Sequence, residues 1–131
     1  NISKLKNLAI EKLEEVGLPA NIAEHYPSEL SGGMQKRVGI ARSIFSQPSI
    51  LIFDDCLSAL DNETEEKILS SLKKEFTKKT TITISHRISS IQNADKIIVL
   101  DNGKIAEIGT HSELFERGEI YYEMYQQQLS K

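Results

Sequence analysis

Residues 50–53, Ile-Leu-Ile-Phe, are apolar without a break, and the run stops at Asp54 and Asp55. A strand that half faces water alternates apolar and polar side chains. One that is apolar at every position predicts burial on both faces, as in a parallel sheet flanked by helices. The neighbouring segments agree with that. Residues 80–84 are β-branched and read as a second strand. Between them, residues 63–76 put Ile68, Leu69, Leu72 and Phe76 on one helical face, with Asp61 or Asn62 as the cap. Strand, helix, strand in that order predicts an α/β fold with parallel strands. Residues 97–100 read as a third strand, followed by Asp101-Asn102-Gly103-Lys104. Asn-Gly tolerates positive φ at two successive positions, so this is a hairpin turn, with 104–108 returning. Thr110 and Glu113 fit a capping box for a further helix, and residues 121–128 fit a terminal one.

Upstream, residues 4–16 read as an amphipathic helix with Leu5, Leu8, Ala9, Leu13 and Val16 on one face. Gly17 suits the position just past its end, and Pro19 prevents it resuming. Residues 18–30 read as a connector. A second helix starts at Ser31, a favoured N-cap, and repeats Met34, Val38, Ala41 and Phe45 at helical spacing. Gly32 and Gly33 fall in its first turn. Glycine costs roughly 0.8–1 kcal/mol against alanine inside a helix, so this pair calls for a reason other than helix stability.

Charge and cysteine usage narrow the function. The 131 residues carry 16 Lys plus Arg against 19 Asp plus Glu, a net charge of −3. Without a basic excess, nucleic acid is not the expected partner. One cysteine, Cys56, excludes an internal disulfide and fits a reducing compartment. No apolar run nears the ~20 residues a membrane helix needs, and no secretory signal is expected. The Lys73-Lys74 and Lys78-Lys79 pairs read as a solvated helix end, Arg37 and Arg42 as helix surface, and the tyrosines at 121, 122 and 125 as a docking surface.

Four short features then stand in order, each open to two readings. Ser31-Gly32-Gly33 is either a plain helix start or an anion site, because glycines admit a phosphate close to the backbone and first-turn N–H groups point at it. Asp54-Asp55 is either a turn after a core strand or a pair of carboxylates at a parallel strand's C-terminal end. Open α/β sheets bind ligands there, and one carboxylate can hold magnesium while the next orients or deprotonates a water. Ser58-Ala59-Leu60-Asp61 follows. His86, in Ser85-His86-Arg87, is either structural or a donor to a phosphate. His25 and His111 read as structural or surface residues.

In this order and spacing the four features resemble the ATP-binding cassette of ABC transporters, over essentially the whole chain. Leu30-Ser31-Gly32-Gly33-Met34-Gln35 resembles the family signature, with Met34 inserted before Gln35. Residues 50–54 resemble the Walker B strand with its magnesium aspartate, 58–61 the D-loop, and His86 the switch histidine. Two departures matter. The family's usual base after the Walker B aspartate is Glu, and here it is Asp55, one methylene shorter. The phosphate loop, Gly-x-x-x-x-Gly-Lys-Ser/Thr, is not in the sequence. With it go the adenine-stacking aromatic loop and the Q-loop glutamine.

The resemblance implies the following. The chain is the C-terminal half of a cassette: 1–46 closes the helical subdomain and carries the signature helix, and 47–131 is the distal RecA-like part of a P-loop NTPase core. ATP and magnesium are the cofactors. Ser31, Gly32, Gly33, Met34 and Gln35 face the nucleotide of a second cassette, Asp54 takes magnesium, Asp55 and His86 are the catalytic pair, and Asp61 meets the partner. The partners are that second cassette and the transmembrane domains of a transporter, on the cytoplasmic face of a membrane. With Asp55 for Glu and an intact signature, the chain resembles the degenerate half of a heterodimer, and alone it is expected to be inactive. Residues 11–42 resemble importer-type and 47–130 exporter-type cassettes, which predicts a composite with a junction near residues 44–48. The competing class is a catalytically silent folding or dimerisation module; a DNA-acting relative is disfavoured by the charge.

Overall fold

A computed structural model describes residues 2–58, 60–77 and 79–130. They form two compact units, one ending at Ile84 and the other beginning at Ser85. Ala59 of the D-loop and Lys78 of the second lysine pair lie outside the described residues.

The first unit contains α1 (Ile2–Glu15), α2 (Gly32–Phe45), β1 (Ile50–Asp54), α3 (Asn62–Phe76) and β2 (Thr80–Ile84). Gly17 closes α1 at φ +71°, and the Leu18 N–H donates back to the Leu13 carbonyl at 2.9 Å. The connector is more ordered than its prolines suggest. It makes two short 3₁₀ turns, Ala20–Glu24 and Pro27–Glu29, and buries Leu18 and Ile22. β1 and β2 pair in parallel, from Ile50 opposite Thr80 to Asp54 opposite Ile84.

The burial of β1 departs from expectation. Leu51 and Phe53 turn into one core with Ile44 of α2 and Ile68 and Leu72 of α3, each such side chain contributing about 1.5–3 kcal/mol on burial. Ile50 and Ile52 point the other way and are 60% and 63% exposed, as are Ile82 at 48% and Ile84 at 50%. The expectation of burial on both faces is therefore corrected: the helices of this unit cover one face only, and among the described residues β2 is the only strand paired with β1. This core also joins residues on both sides of position 46.

Charge is built into the unit as well. Lys12 on α1 is only 4% exposed and its Nζ lies 2.7 Å from Glu15 and 2.7 Å from Glu75 of α3; Glu75 also takes Lys79 at 2.6 Å. Burial pulls the Lys12 ammonium down, but its hydrogen bonds to the two carboxylates outweigh that and raise it. The same bonds, from Lys12 first and Lys79 second, lower Glu75. Lys79 thus belongs to a shielded ion network, not to a solvated helix end. Arg37 is likewise not free surface: its Nη1 donates to the Gly17 carbonyl at 2.9 Å and ties α2 to the end of α1.

The second unit contains α4 (Ile88–Ile91), β3 (Ile97–Asp101), β4 (Lys104–Gly109), α5 (His111–Arg117) and α6 (Ile120–Leu129). The hairpin turns through Asn102 at φ +49° and Gly103 at φ +74°, as its sequence predicts. The Thr110–Glu113 capping box is made in both directions, at 3.3 Å and 2.8 Å. Tyr121 is not docking surface. It is 1% exposed, packs with Leu114, Ile97, Val99 and Ile88, and its hydroxyl pairs with His111 Nδ1 at 2.8 Å. Glu107, also buried, accepts the Tyr121 N–H at 2.7 Å and so caps α6 from β4.

Candidate functional site

The first turn of α2 is assembled locally. The Ser31 side chain caps it, its Oγ accepting the Met34 N–H at 3.3 Å. That leaves the hydroxyl proton available to a ligand and the first N–H groups, those of Gly32 and Gly33, without intrahelical acceptors. Gln35 donates from Nε2 to the carbonyls of Pro27 at 2.8 Å and Leu30 at 3.1 Å, stitching the preceding turn onto the helix. Met34 packs partly buried against the core. Of the five signature residues, Ser31, Gly32 and Gly33 therefore present the open surface, whereas Met34 and Gln35 are committed to holding it.

Neither glycine is required by the chain's own interior. Both are helical, a Cβ on Gly32 would meet nothing within 4 Å, and one on Gly33 would meet Leu60 Cδ2 at an ordinary 3.6 Å. An open helix start with two unneeded glycines is what close approach from outside demands.

At the C-terminal end of β1, Asp54 is exposed and Asp55 is half-buried with φ +47°. This left-handed conformation is uncommon for a side-chain-bearing residue and enriched at functional sites. Backbone bonds hold it: the Asp55 N–H donates to the Ile84 carbonyl at 2.9 Å, and its carbonyl accepts from Ser58 Oγ at 2.9 Å. Asp55 thereby leaves the strand line while Asp54 continues it. Among the described residues there is no group of three metal-ligating side chains. A single exposed carboxylate suits magnesium, which commonly takes one or two carboxylates and completes its shell with water and phosphate; Asp54 fits that role. Beside it Cys56 is half-buried and packs against the core, and burial pushes its thiol up.

Asp61 caps α3, its Oδ1 accepting the Thr64 N–H at 2.9 Å. The hydrogen bonds from Thr64, side chain first and backbone second, lower its carboxyl. His86 belongs to the second unit. Its ring is exposed, while its backbone is held: Gln128 Nε2 donates to the His86 carbonyl at 2.7 Å and Gln128 Oε1 accepts the Ile88 N–H at 2.9 Å. Sequence reasoning missed Gln128, and no local pattern signals a contact that spans 42 residues.

Comparison with known proteins points to one family. A family described as "ABC transporter" matches residues 4–58. An "ATP-dependent lipid A-core flippase" of Francisella tularensis is 43% identical over 123 residues, 92% of this chain and 20% of the relative. The protein of the same description from Saccharophagus degradans is 47% identical over 103 residues, covering 79% of this chain and 18% of its own. A solved structure, "a bacterial Atm1-family ABC exporter with ATP bound", superposes with a TM-score of 0.79 at 36% identity, over 93% of this chain and 23% of that one.

The chain belongs to the ABC transporter family. It is a partial cassette with a mixed α/β fold built on a parallel strand pair. It spans about a fifth of the length of the curated relatives it matches. The exporter structure matches 93% of this chain, so the likeness to exporters is not confined to residues 47–130. Among the described residues no helix is long and apolar enough to cross a membrane.

Proposed function

We propose that this chain is the signature-bearing part of an exporter-type cassette that couples ATP binding and hydrolysis to transport, with 1–46 ending the helical subdomain and 47–131 forming the distal core. The observation that carries the reading is the capped first turn of α2, whose two glycines neither backbone nor packing requires. There Ser31 Oγ and the N–H groups of Gly32 and Gly33 bind the γ-phosphate of a nucleotide held by a second cassette, with the helix dipole adding to the attraction. Asp54 holds magnesium, which screens the charge of this cassette's own nucleotide. Asp55 orients the attacking water, from over an ångström further back than a glutamate would. Misplacement on that scale costs up to about 100-fold in rate, so this cassette's own site is the weak one of the pair. His86 donates to the γ-phosphate and Asp61 meets the partner across the interface. The partner cassette and membrane-spanning domains place the chain on the cytoplasmic face of a membrane.

The test is ATP–magnesium turnover by this chain with and without an added N-terminal cassette half. Turnover only with the added half is expected. A folded pair that neither binds nor hydrolyses ATP would favour the silent dimerisation module instead.

A further inference from the structure

The geometry points to Gln128 as a positioning residue for His86. The inference rests on the reading of His86 as the phosphate contact and adds to it the element that sets the histidine's place. One side-chain amide brackets the residue. Its Nε2 donates to the His86 carbonyl at 2.7 Å and its Oε1 accepts the Ile88 N–H at 2.9 Å. The assignment of the two amide ends is dictated, because a carbonyl only accepts and an N–H only donates.

The bracket supplies the cap that the start of α4 lacks from its own N-cap side chain. α4 has only four residues, and its N-cap, Arg87, makes no side-chain cap bond. The Ile88 N–H is the first of the orphan donors that every helix start leaves, and Gln128 satisfies it from the far end of the chain. Ser85 Oγ accepts the Arg87 N–H at 3.0 Å and tightens the same turn. The platform is itself fixed: α6 is held at its start by Glu107 and by the buried Tyr121. Gln128 therefore pins the backbone on both sides of Arg87 while the His86 imidazole stays exposed. Position and chemistry are assigned to different residues, and the last turn of α6 becomes part of the phosphate contact without touching phosphate.

The experiment uses the assembled cassette dimer containing this chain, with the partner's hydrolytic site disabled so that turnover reports this chain's own site, and compares Gln128→Leu, Gln128→Glu, His86→Ala and the Leu/Ala double variant. Gln128→Leu removes donor and acceptor at similar size. It is expected to lower kcat about tenfold with the KM for ATP within twofold, a loss within what an ångström-scale misplacement produces. Amide exchange over residues 86–91 should speed up in parallel. Gln128→Glu keeps the acceptor for Ile88 and loses the donor to His86, so an intermediate kcat is expected, and this milder variant carries the test if Gln128→Leu does not fold. In the His86→Ala background Gln128→Leu should cost nothing further, because residues acting through one group are not additive. An equal loss in both backgrounds, or full turnover in Gln128→Leu where His86→Ala is crippled, overturns the inference. Normal turnover by His86→Ala alone overturns instead the reading beneath it.

Discussion

The two ends of the first unit are built in different ways. The start of α2 is complete in itself: Ser31 caps it, Gln35 stitches it to the preceding turn, and Arg37 ties it to the end of α1. The end of β1 is half a site. Asp54 is exposed beside an apolar sheet face that the unit leaves open, and Asp55 is held in a strained turn by its backbone alone. A signature encoded locally can be offered, already shaped, to a nucleotide bound elsewhere. A carboxylate pair at an open strand end works only once another wall closes over it.

Substitutions at the two ends can break that contrast. The largest effect is expected from Gly32→Ala in the assembled dimer. A Cβ there meets nothing within 4 Å among the described residues, and alanine favours helix by up to about 1 kcal/mol, so thermal stability should hold or rise. ATP turnover should nonetheless fall about 100-fold, because the backbone N–H remains but the new methyl holds the phosphate about an ångström further from it. A drop in stability with turnover kept would show that the glycine serves the fold. Lys12→Met comes next and should act on both ends alike. It leaves Glu15 and Glu75 without their shared cation, at about 3 kcal/mol for a broken buried pair, read by denaturant unfolding. Its pH signature follows from the two shifts. Glu75, lowered from 4.5, stabilises above that value and loses its contribution as pH falls through its folded pKa. Lys12, raised from 10.5, stabilises below that value and loses its contribution as pH rises through its folded pKa. The variant should lose the alkaline flank of the unfolding-versus-pH curve and only part of the acid flank, because Lys79 still holds Glu75 down. The smallest effect sharpens the contrast at β1: Asp55→Glu restores the missing methylene and should raise turnover at this chain's own site, read with the partner's site disabled, about tenfold. It should also lower stability slightly, because aspartate tolerates the left-handed turn better than most residues.

The local features were legible because their causes are local. The Ser31 cap, the Asn102-Gly103 turn and the Thr110–Glu113 box each depend on residues within a few positions. The parallel pairing of β1 with β2 followed from two strands separated by a helix. The burial of β1 was misjudged because apolar content records where a strand is destined to pack, whereas exposure depends on which neighbours are present. Lys12, Lys79 and Gln128 escaped for a related reason. Their partners lie 63, 4 and 42 residues away, and even the short pair matters only because the fold shields it from solvent. Within the site, the roles of Ser31, Gly32 and Gly33 could be framed from spacing, but the commitment of Met34 to the core and of Gln35 to two carbonyls could not.

The central claim is that this chain contributes its signature to a partner's nucleotide while its own carboxylate site adds little. The direct measurement is ATP turnover by the assembled cassette dimer carrying Asp55→Asn alone, beside the dimer carrying Gly32→Ala alone. The account predicts that Asp55→Asn keeps turnover within about threefold, whereas Gly32→Ala loses about 100-fold. Loss of turnover in Asp55→Asn, with Gly32→Ala still active, would contradict it.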